Sequence, residues 1–274
     1  MSTRTEDKIS HNSLSQLKHI DISLTKKKNV IIEVIGNNIV LKSPLPPSSN
    51  GASTPNKLTK KELYSFLSGP EDEILSTIGQ NSINIKSLNT LRPKAWLNDE
   101  VMTHNYNSFF FNKLFQNNSY NYTNVMNFSR HIIGQNIISL EKLLIPVHEN
   151  NNHWTLILVN FKHKNIQYLD CDNGTKYIQA TFRFLQDENQ NHHDHNLPQL
   201  HEWTLTKCRG ETPKQSNNYD CGVFVCVFAE SIMRNAFPSF TQNDINDSTR
   251  QWIMEAILQK RIPNTDWRYC NTFS

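Results

Sequence analysis

The sequence predicts an α+β fold, with helices at both ends of the domain and strands gathered between them. Three observations carry this. The apolar pattern runs as helices, then as several strands, then as helices again, an order that suits a segregated sheet rather than a doubly wound one. Trp154 to Phe161 and Ile166 to Leu169 are two strand-like runs joined by the short turn Lys162 to Asn165. Val223 to Arg234 is a strongly apolar helical run that follows directly on Cys221-Gly222.

The chain has 274 residues, enough for one large domain or for a domain of about 200 residues with a loose extension. Hydrophobic residues at 37% and charged residues at 19% exclude wholesale disorder and a fibrous protein. The net charge is +3 and the basic residues are scattered, so charge makes no case for nucleic-acid binding. No run approaches the roughly 18–20 apolar residues that span a bilayer. Met1 to Asp21 is polar and does not read as a secretory signal. The expectation is a soluble, monomeric intracellular protein of the nucleus or cytoplasm, away from membranes. The five cysteines are Cys171, Cys208, Cys221, Cys226 and Cys270, an odd number that argues against a disulfide framework. No C-x-x-C pair is present, so no structural zinc is expected.

Along the chain, residues 1–57 read as an N-terminal extension. Its Lys26-Lys27-Lys28 run is a solvated segment or a short nuclear-localisation patch. Two β-rich runs around Gly36-Asn37-Asn38 signal a hairpin over 29–42, and Ser43 to Asn56 reads as a linker. The domain proper runs over 58–274. Thr59 to Glu62 is a capping-box pattern opening a helix with Leu63, Phe66 and Leu67 at helical spacing, stopped by Gly69-Pro70. Ile83 to Ile85 is a short strand candidate. Asn98 or Asp99 caps a Phe-rich helix expected over 99–116, and an Asn/Tyr/Ser loop follows over 117–124. Leu143 to Val147 is an apolar strand, Tyr177 to Leu185 has helical spacing, and Asp187 to Asn196 is a polar insertion with three histidines. Trp203 to Thr206 is a further strand and Thr249 to Leu258 the last helix. There are no internal repeats.

Thiol chemistry needs a thiolate, an imidazole to shuttle a proton, a group to orient it, and donors for an oxyanion. Cys221 lies between the polar loop Asn217 to Asp220 and an apolar helix, at a helix N-terminus where free N–H groups and the macrodipole favour an anion; it could also be a buried helix-start cysteine. Gly222 lets the backbone approach closely. Cys226, inside the helix, reads as core. His153 stands at the start of the strand after Asn150 to Asn152, or is simply a loop histidine. Asp170 ends the next strand, and an antiparallel pair with a short turn would return it to His153. Asp172 competes for that place. Gln215, six residues before Cys221, could donate to an oxyanion together with the Cys221 N–H.

His153-Trp154, Tyr168-Leu169-Asp170, Gln215 and Asp220-Cys221-Gly222, in this order and spacing, make the chain resemble the ubiquitin-like protein proteases of the SUMO (sentrin) family. Trp96-Leu97-Asn98-Asp99-Glu100-Val101 and Ile145-Pro146-Val147-His148 match the same family, and the resemblance covers about Leu58 to Trp267. It implies a papain-like cysteine protease fold, a central mixed sheet packed against helices with the nucleophile at a helix N-terminus. By the same resemblance His153 is the general base, Asp170 its orienter, Cys221 the nucleophile and Gln215 part of the oxyanion hole. Trp96 and Trp154 would clamp the Gly-Gly of a ubiquitin-like modifier, since only residues without side chains pass between two indoles; either indole could instead be core. Asp99 would contact the modifier or serve only as a helix cap. No cofactor and no metal are implied. Cys171 stands where the family often has Ser, Thr103-His104-Asn105 is more polar than usual, and His192 to His195 looks like an added, solvated loop. SUMO is the first expectation for the modifier, Nedd or ubiquitin the alternative, and a catalytically silent modifier-binding module the third reading.

Overall fold

The computed structural model describes residues 58–78, 81–103, 110–116, 119–131, 137–170, 174–191, 199–207, 210–260 and 262. The expected extension over 1–57 with its hairpin at 29–42, Asp172, His104-Asn105 and the His192 to His195 loop lie outside the described residues.

Helix α1 (Lys60–Ser65) opens on the expected capping box: the Thr59 hydroxyl accepts from Glu62 N, and the Glu62 carboxylate accepts from Thr59 N at 2.7 Å. A 3₁₀ turn, Phe66–Ser68, carries the chain to Gly69. Strands β1 (Ile74–Ile78) and β2 (Asn81–Asn84) then pair antiparallel. The strand expected at Ile83 to Ile85 therefore ends one residue early, because the Asn84 side chain accepts from Ser87 N and starts helix α2 (Ile85–Asn89).

The helix expected over 99–116 ends at Leu114, two residues early, and residues 104–109 within it lie outside the described residues. The described parts are helix α3 (Asp99–Thr103) and helix α4 (Phe110–Leu114), and Phe115 and Gln116 form strand β3 (Phe115–Gln116), paired with β4 (Ser119–Tyr120). Phe115 leaves the helix to lie opposite Tyr120, so cross-strand pairing overrides helical spacing.

The central sheet contains β5 (Lys142–Glu149), β6 (His153–Asn160), β7 (Asn165–Tyr168) and β8 (Thr204–Thr206) in that spatial order. The first three are antiparallel neighbours and β8 runs parallel to β7, which makes the sheet mixed. Strand periodicity divides its side chains between two cores. Leu144, Trp154 and Leu156 face one cluster with α1, α2, α3, helix α6 (Cys221–Met233) and helix α7 (Asp247–Gln259). Leu143, Ile145, Val147, Ile157 and Val159 face the other, with α4 and helix α5 (Thr175–Asn191). The sheet is thus the middle of three layers.

Helix α5 is longer than the spacing of Tyr177 to Leu185 indicates. It runs on through Asn191 because Asp187 accepts from the Tyr120 hydroxyl at 2.5 Å and Glu188 from the Tyr122 hydroxyl at 2.6 Å. The polar face that reads as an insertion is thus tied down by two tyrosines.

Helix α6 buries eleven of its thirteen residues, so it is surrounded rather than amphipathic. Its C-terminal end is held by Lys142, whose ammonium donates to Ile232 O at 3.3 Å and to Asn235 Oδ1, where a cation complements the helix dipole. Among the described residues no helix is long and apolar enough to cross a membrane.

The second core is rich in aromatic edges, with the Phe110 and Phe184 rings 4.8 Å apart at 75°. Phe184 is fully buried. Phe184→Ala should therefore cost about 3–5 kcal/mol in urea unfolding. A midpoint equal to wild type would show that this ring does not support the layer.

Candidate active site

Three elements converge on one cleft of about 630 Å³, lined among others by Trp96, His153, Trp154, Asp170, Gln215 and Cys221. Each arrives for a local reason. The β5–β6 hairpin turns through Asn150 and Asn151 at φ 50° and 57°, a left-handed conformation that asparagine tolerates, and Asn152 N donates to Glu149 O at 3.1 Å. That turn makes His153 the first residue of β6. The β6–β7 pairing then extends past its last strand residue, with Leu169 N donating to Leu156 O at 2.8 Å, which fixes Asp170 on the His153 side of the sheet. Cys221 is the first residue of α6 and is 4% exposed.

His153 Nε2 is hydrogen-bonded to Asp170 Oδ2, and the Cys221 side chain is near enough to the ring to raise its basicity. With Nε2 taken by the carboxylate, Nδ1 is the nitrogen left for the thiol. The bond to Asp170, and after it the nearby Cys221 side chain, raises the imidazole to about 10 against an opposing effect of burial. Both neighbours thus favour the protonated ring over the neutral one. Asp172, the competitor for the orienting place, lies outside the described residues.

Gln215 reaches the cleft, but its amide is engaged: Nε2 donates to Asn217 O at 2.5 Å and to Asn217 Oδ1 at 3.1 Å. An oxyanion would have to draw one of those protons away. The two tryptophans differ. Trp96 is 49% exposed, whereas Trp154 is 4% exposed and belongs both to the cleft wall and to the core. Trp154 Nε1 donates to Leu97 O at 3.0 Å, tying the two Trp segments together.

The choice left open at the start of α3 resolves on Asn98, whose Oδ1 accepts from Val101 N at 3.1 Å. Asp99 does not cap the helix. It does not line the cleft either, and pairs with His148 Nδ1 at 3.2 Å. His148 in turn lies flat on the Trp154 indole, with ring centroids 3.9 Å apart and planes 6° apart. Residue spacing alone does not single out His148; the i, i+6 relation to Trp154 becomes a contact only across the β5–β6 register, in which the two residues are paired. Cys226 packs against the first core, and burial pushes its thiol up to about 12. Among the described residues no group of three His, Cys, Asp or Glu side chains comes together as metal ligands.

Residues 91–262 match the model of the Ulp1 protease family, C-terminal catalytic domain, well over half of the chain. The chain belongs to that family. Human Sentrin-specific protease 2 is 30% identical over 225 residues, covering 74% of this chain and 37% of the relative. Ubiquitin-like-specific protease 1A of Arabidopsis thaliana is 31% identical over 204 residues, covering 65% of this chain and 40% of the relative. The chain thus spans less than half the length of these curated relatives. Among solved structures, the C-terminal Ulp1 protease domain in complex with Smt3, the yeast ortholog of SUMO, matches with a TM-score of 0.61 at 24% identity, covering 76% of this chain and 98% of that one. The Ulp1-like SUMO protease catalytic domain of Chaetomium thermophilum matches with a TM-score of 0.61 at 19% identity, covering 76% and 92%. At these identities the structural likeness concerns the fold, which is that of the Ulp1 catalytic domain: the expected α+β, papain-like arrangement.

In this Ulp1-family chain Gly222 sits where α6 meets the Trp96 segment. A Cβ there would lie 2.9 Å from Leu97 Cβ, an atom that moves only with its backbone. Gly222→Ala gains up to about 1 kcal/mol of helix propensity. It should lose about 1–3 kcal/mol to overpacking, so the net effect in urea unfolding should be destabilising.

The raised folded-state pKa of His153 also sets a pH dependence. A group raised on folding stabilises the fold fully below its ordinary value of 6.5, and that contribution is lost as pH rises toward about 10. The melting-temperature gap between wild type and His153→Ala should accordingly be largest near pH 6 and shrink steadily up to pH 10. A gap that widens with pH would reverse the assignment.

Proposed function

We propose that the chain is a cysteine protease that hydrolyses the peptide or isopeptide bond after the C-terminal Gly-Gly of a ubiquitin-like modifier, with SUMO the first modifier to test. The observation that carries the reading is the bonded Asp170–His153 pair in one cleft with Cys221 at the head of α6 and with both indoles in its wall. The names of the relatives, sentrin-specific and ubiquitin-like-specific proteases, support it.

In this reading Cys221 Sγ, its proton held by His153, attacks the carbonyl of the terminal glycine and forms the C–S bond. The developing oxyanion meets the N–H groups at the start of α6, which in its first turn carries no side-chain cap from Asp220, and the Gln215 amide once it turns from Asn217. His153 gives its proton to the departing amine, and a thioester remains. Water, deprotonated by the same ring, breaks the C–S bond and restores the thiol. Asp170 keeps the imidazole oriented and stabilises its cation. Trp96 and Trp154 restrict what passes over Cys221 to residues without side chains, and Asp99 with His148 lies outside the cleft, where the body of the modifier would rest. No cofactor enters these steps. Residues 58–274 carry this activity in the proposal, and residues 1–57 are an extension.

Nedd and ubiquitin also end in Gly-Gly, so a protease for either is the second reading. The experiment is incubation with propargyl-tailed SUMO, Nedd and ubiquitin, read as a gel shift, with Cys221→Ala as control. A Cys221-dependent adduct with SUMO is expected. An adduct with another probe alone reassigns the modifier, and none from folded protein favours a silent binding module.

A further inference from the structure

Asp220 occupies the N-cap of α6, where an aspartate ordinarily turns its carboxylate back onto the first N–H groups of the helix. Here it makes no side-chain cap bond. Both oxygens serve other partners. Oδ1 accepts from Arg250 Nη2 at 2.6 Å, and Oδ2 accepts from Asn217 Nδ2 at 2.7 Å and Gln242 Nε2 at 3.0 Å. Asp220 and Arg250 are both buried, at 4% and 3% exposure.

Arg250, on α7, spends the rest of its fork on backbone. Nη2 also donates to Tyr219 O at 3.1 Å, while Nη1 donates to Thr90 O at 3.3 Å and to Arg92 O at 3.2 Å. One planar group therefore joins the residue before Cys221, the turn that leads into it, and the carbonyls just past α2 from which the chain runs to Trp96. A lysine ammonium is a point donor and cannot span both sides.

We propose that Arg250 is a positioning residue for the reaction at Cys221: it draws the Asp220 carboxylate off the N-terminus of α6, leaving that helix end open to an oxyanion, and fixes the nucleophile's turn to the segment that carries Trp96. The inference rests on the reading of the chain as a Gly-Gly-directed protease. Without Arg250 the Asp220 carboxylate is free to cap α6 from within, which places a negative charge where the oxyanion forms. Asn217 follows, because it bonds Asp220 through Nδ2 and the Gln215 amide through Oδ1.

The test compares wild type, Arg250→Lys and Asp220→Asn, each checked for folding by circular dichroism. Two rates are measured on the full chain. One is hydrolysis of SUMO carrying a coumarin amide on its terminal glycine, a substrate whose carbonyl becomes an oxyanion, resolved into a maximal rate and a half-saturating concentration. The other is iodoacetamide labelling of Cys221, followed by mass spectrometry, which needs neither the indoles nor an oxyanion site. In Arg250→Lys the maximal hydrolytic rate should fall roughly 10- to 100-fold, as expected for a small misplacement of reacting groups. Half-saturation and iodoacetamide labelling should stay within about threefold of wild type. Asp220→Asn should also slow the maximal rate, and it carries the test alone if Arg250→Lys does not fold. A folded variant of either kind with the wild-type maximal rate overturns the proposal, as does a parallel fall in iodoacetamide labelling, which would locate the defect in the thiol itself. If wild type neither hydrolyses this amide nor forms an adduct with any of the propargyl-tailed modifiers, the protease reading fails, and this inference with it.

Discussion

The packing of α6 against β6 is the constraint on which the rest of the molecule depends. Eleven of its thirteen residues are buried, so the helix has no free face about which to rotate or slide. At about 1.5–3 kcal/mol for each large apolar side chain removed from water, a register change along this helix would cost more than a whole domain's usual margin of stability. The same packing sets Cys221 against His153. The thiol and the imidazole come from segments 68 residues apart in sequence, and it is burial, not local structure, that makes them neighbours.

Charge in this region is arranged in layers. Asp170 and Cys221 favour the protonated form of His153 in the cleft, and Asp220 is paired with Arg250 inside the core. A buried pair of this kind is weak as a source of stability, because removing two charges from water costs about as much as their attraction returns. Its merit is geometric: five donors on a rigid plane fix several backbone oxygens at once. Lys142 at the other end of α6 serves a similar end, capping the last turn with a cation that burial makes easier to deprotonate.

Much of this was legible in the chain itself, and the legible parts are the locally encoded ones. The Thr59 capping box, the β6–β7 hairpin and the apolar run after Cys221 each depend on residues within a few positions of one another, and they fold as read. The failures have the opposite character. Phe115 has helical spacing but pairs with Tyr120, and the extension of α5 rests on hydroxyls from Tyr120 and Tyr122, more than 60 residues away. In the cleft, the expected residues Trp96, His153, Trp154, Asp170, Gln215 and Cys221 come together, whereas the engagement of the Gln215 amide with Asn217 was not foreseeable from a lone glutamine in a polar loop. Arg250 sits in a polar turn of α7 that looks solvent-facing, and only the fold encloses it. His148 reads as strand until the register lays it on an indole.

The unequal standing of the two tryptophans has a consequence for how such a cleft can change. Trp154 is core, bonded to Leu97 and stacked on His148, so altering that wall disturbs the interior. Trp96 is half in solvent and can be exchanged at little cost to the fold. Drift or design that widens the cleft is therefore confined to one side: its wall has a fixed jaw and a replaceable one.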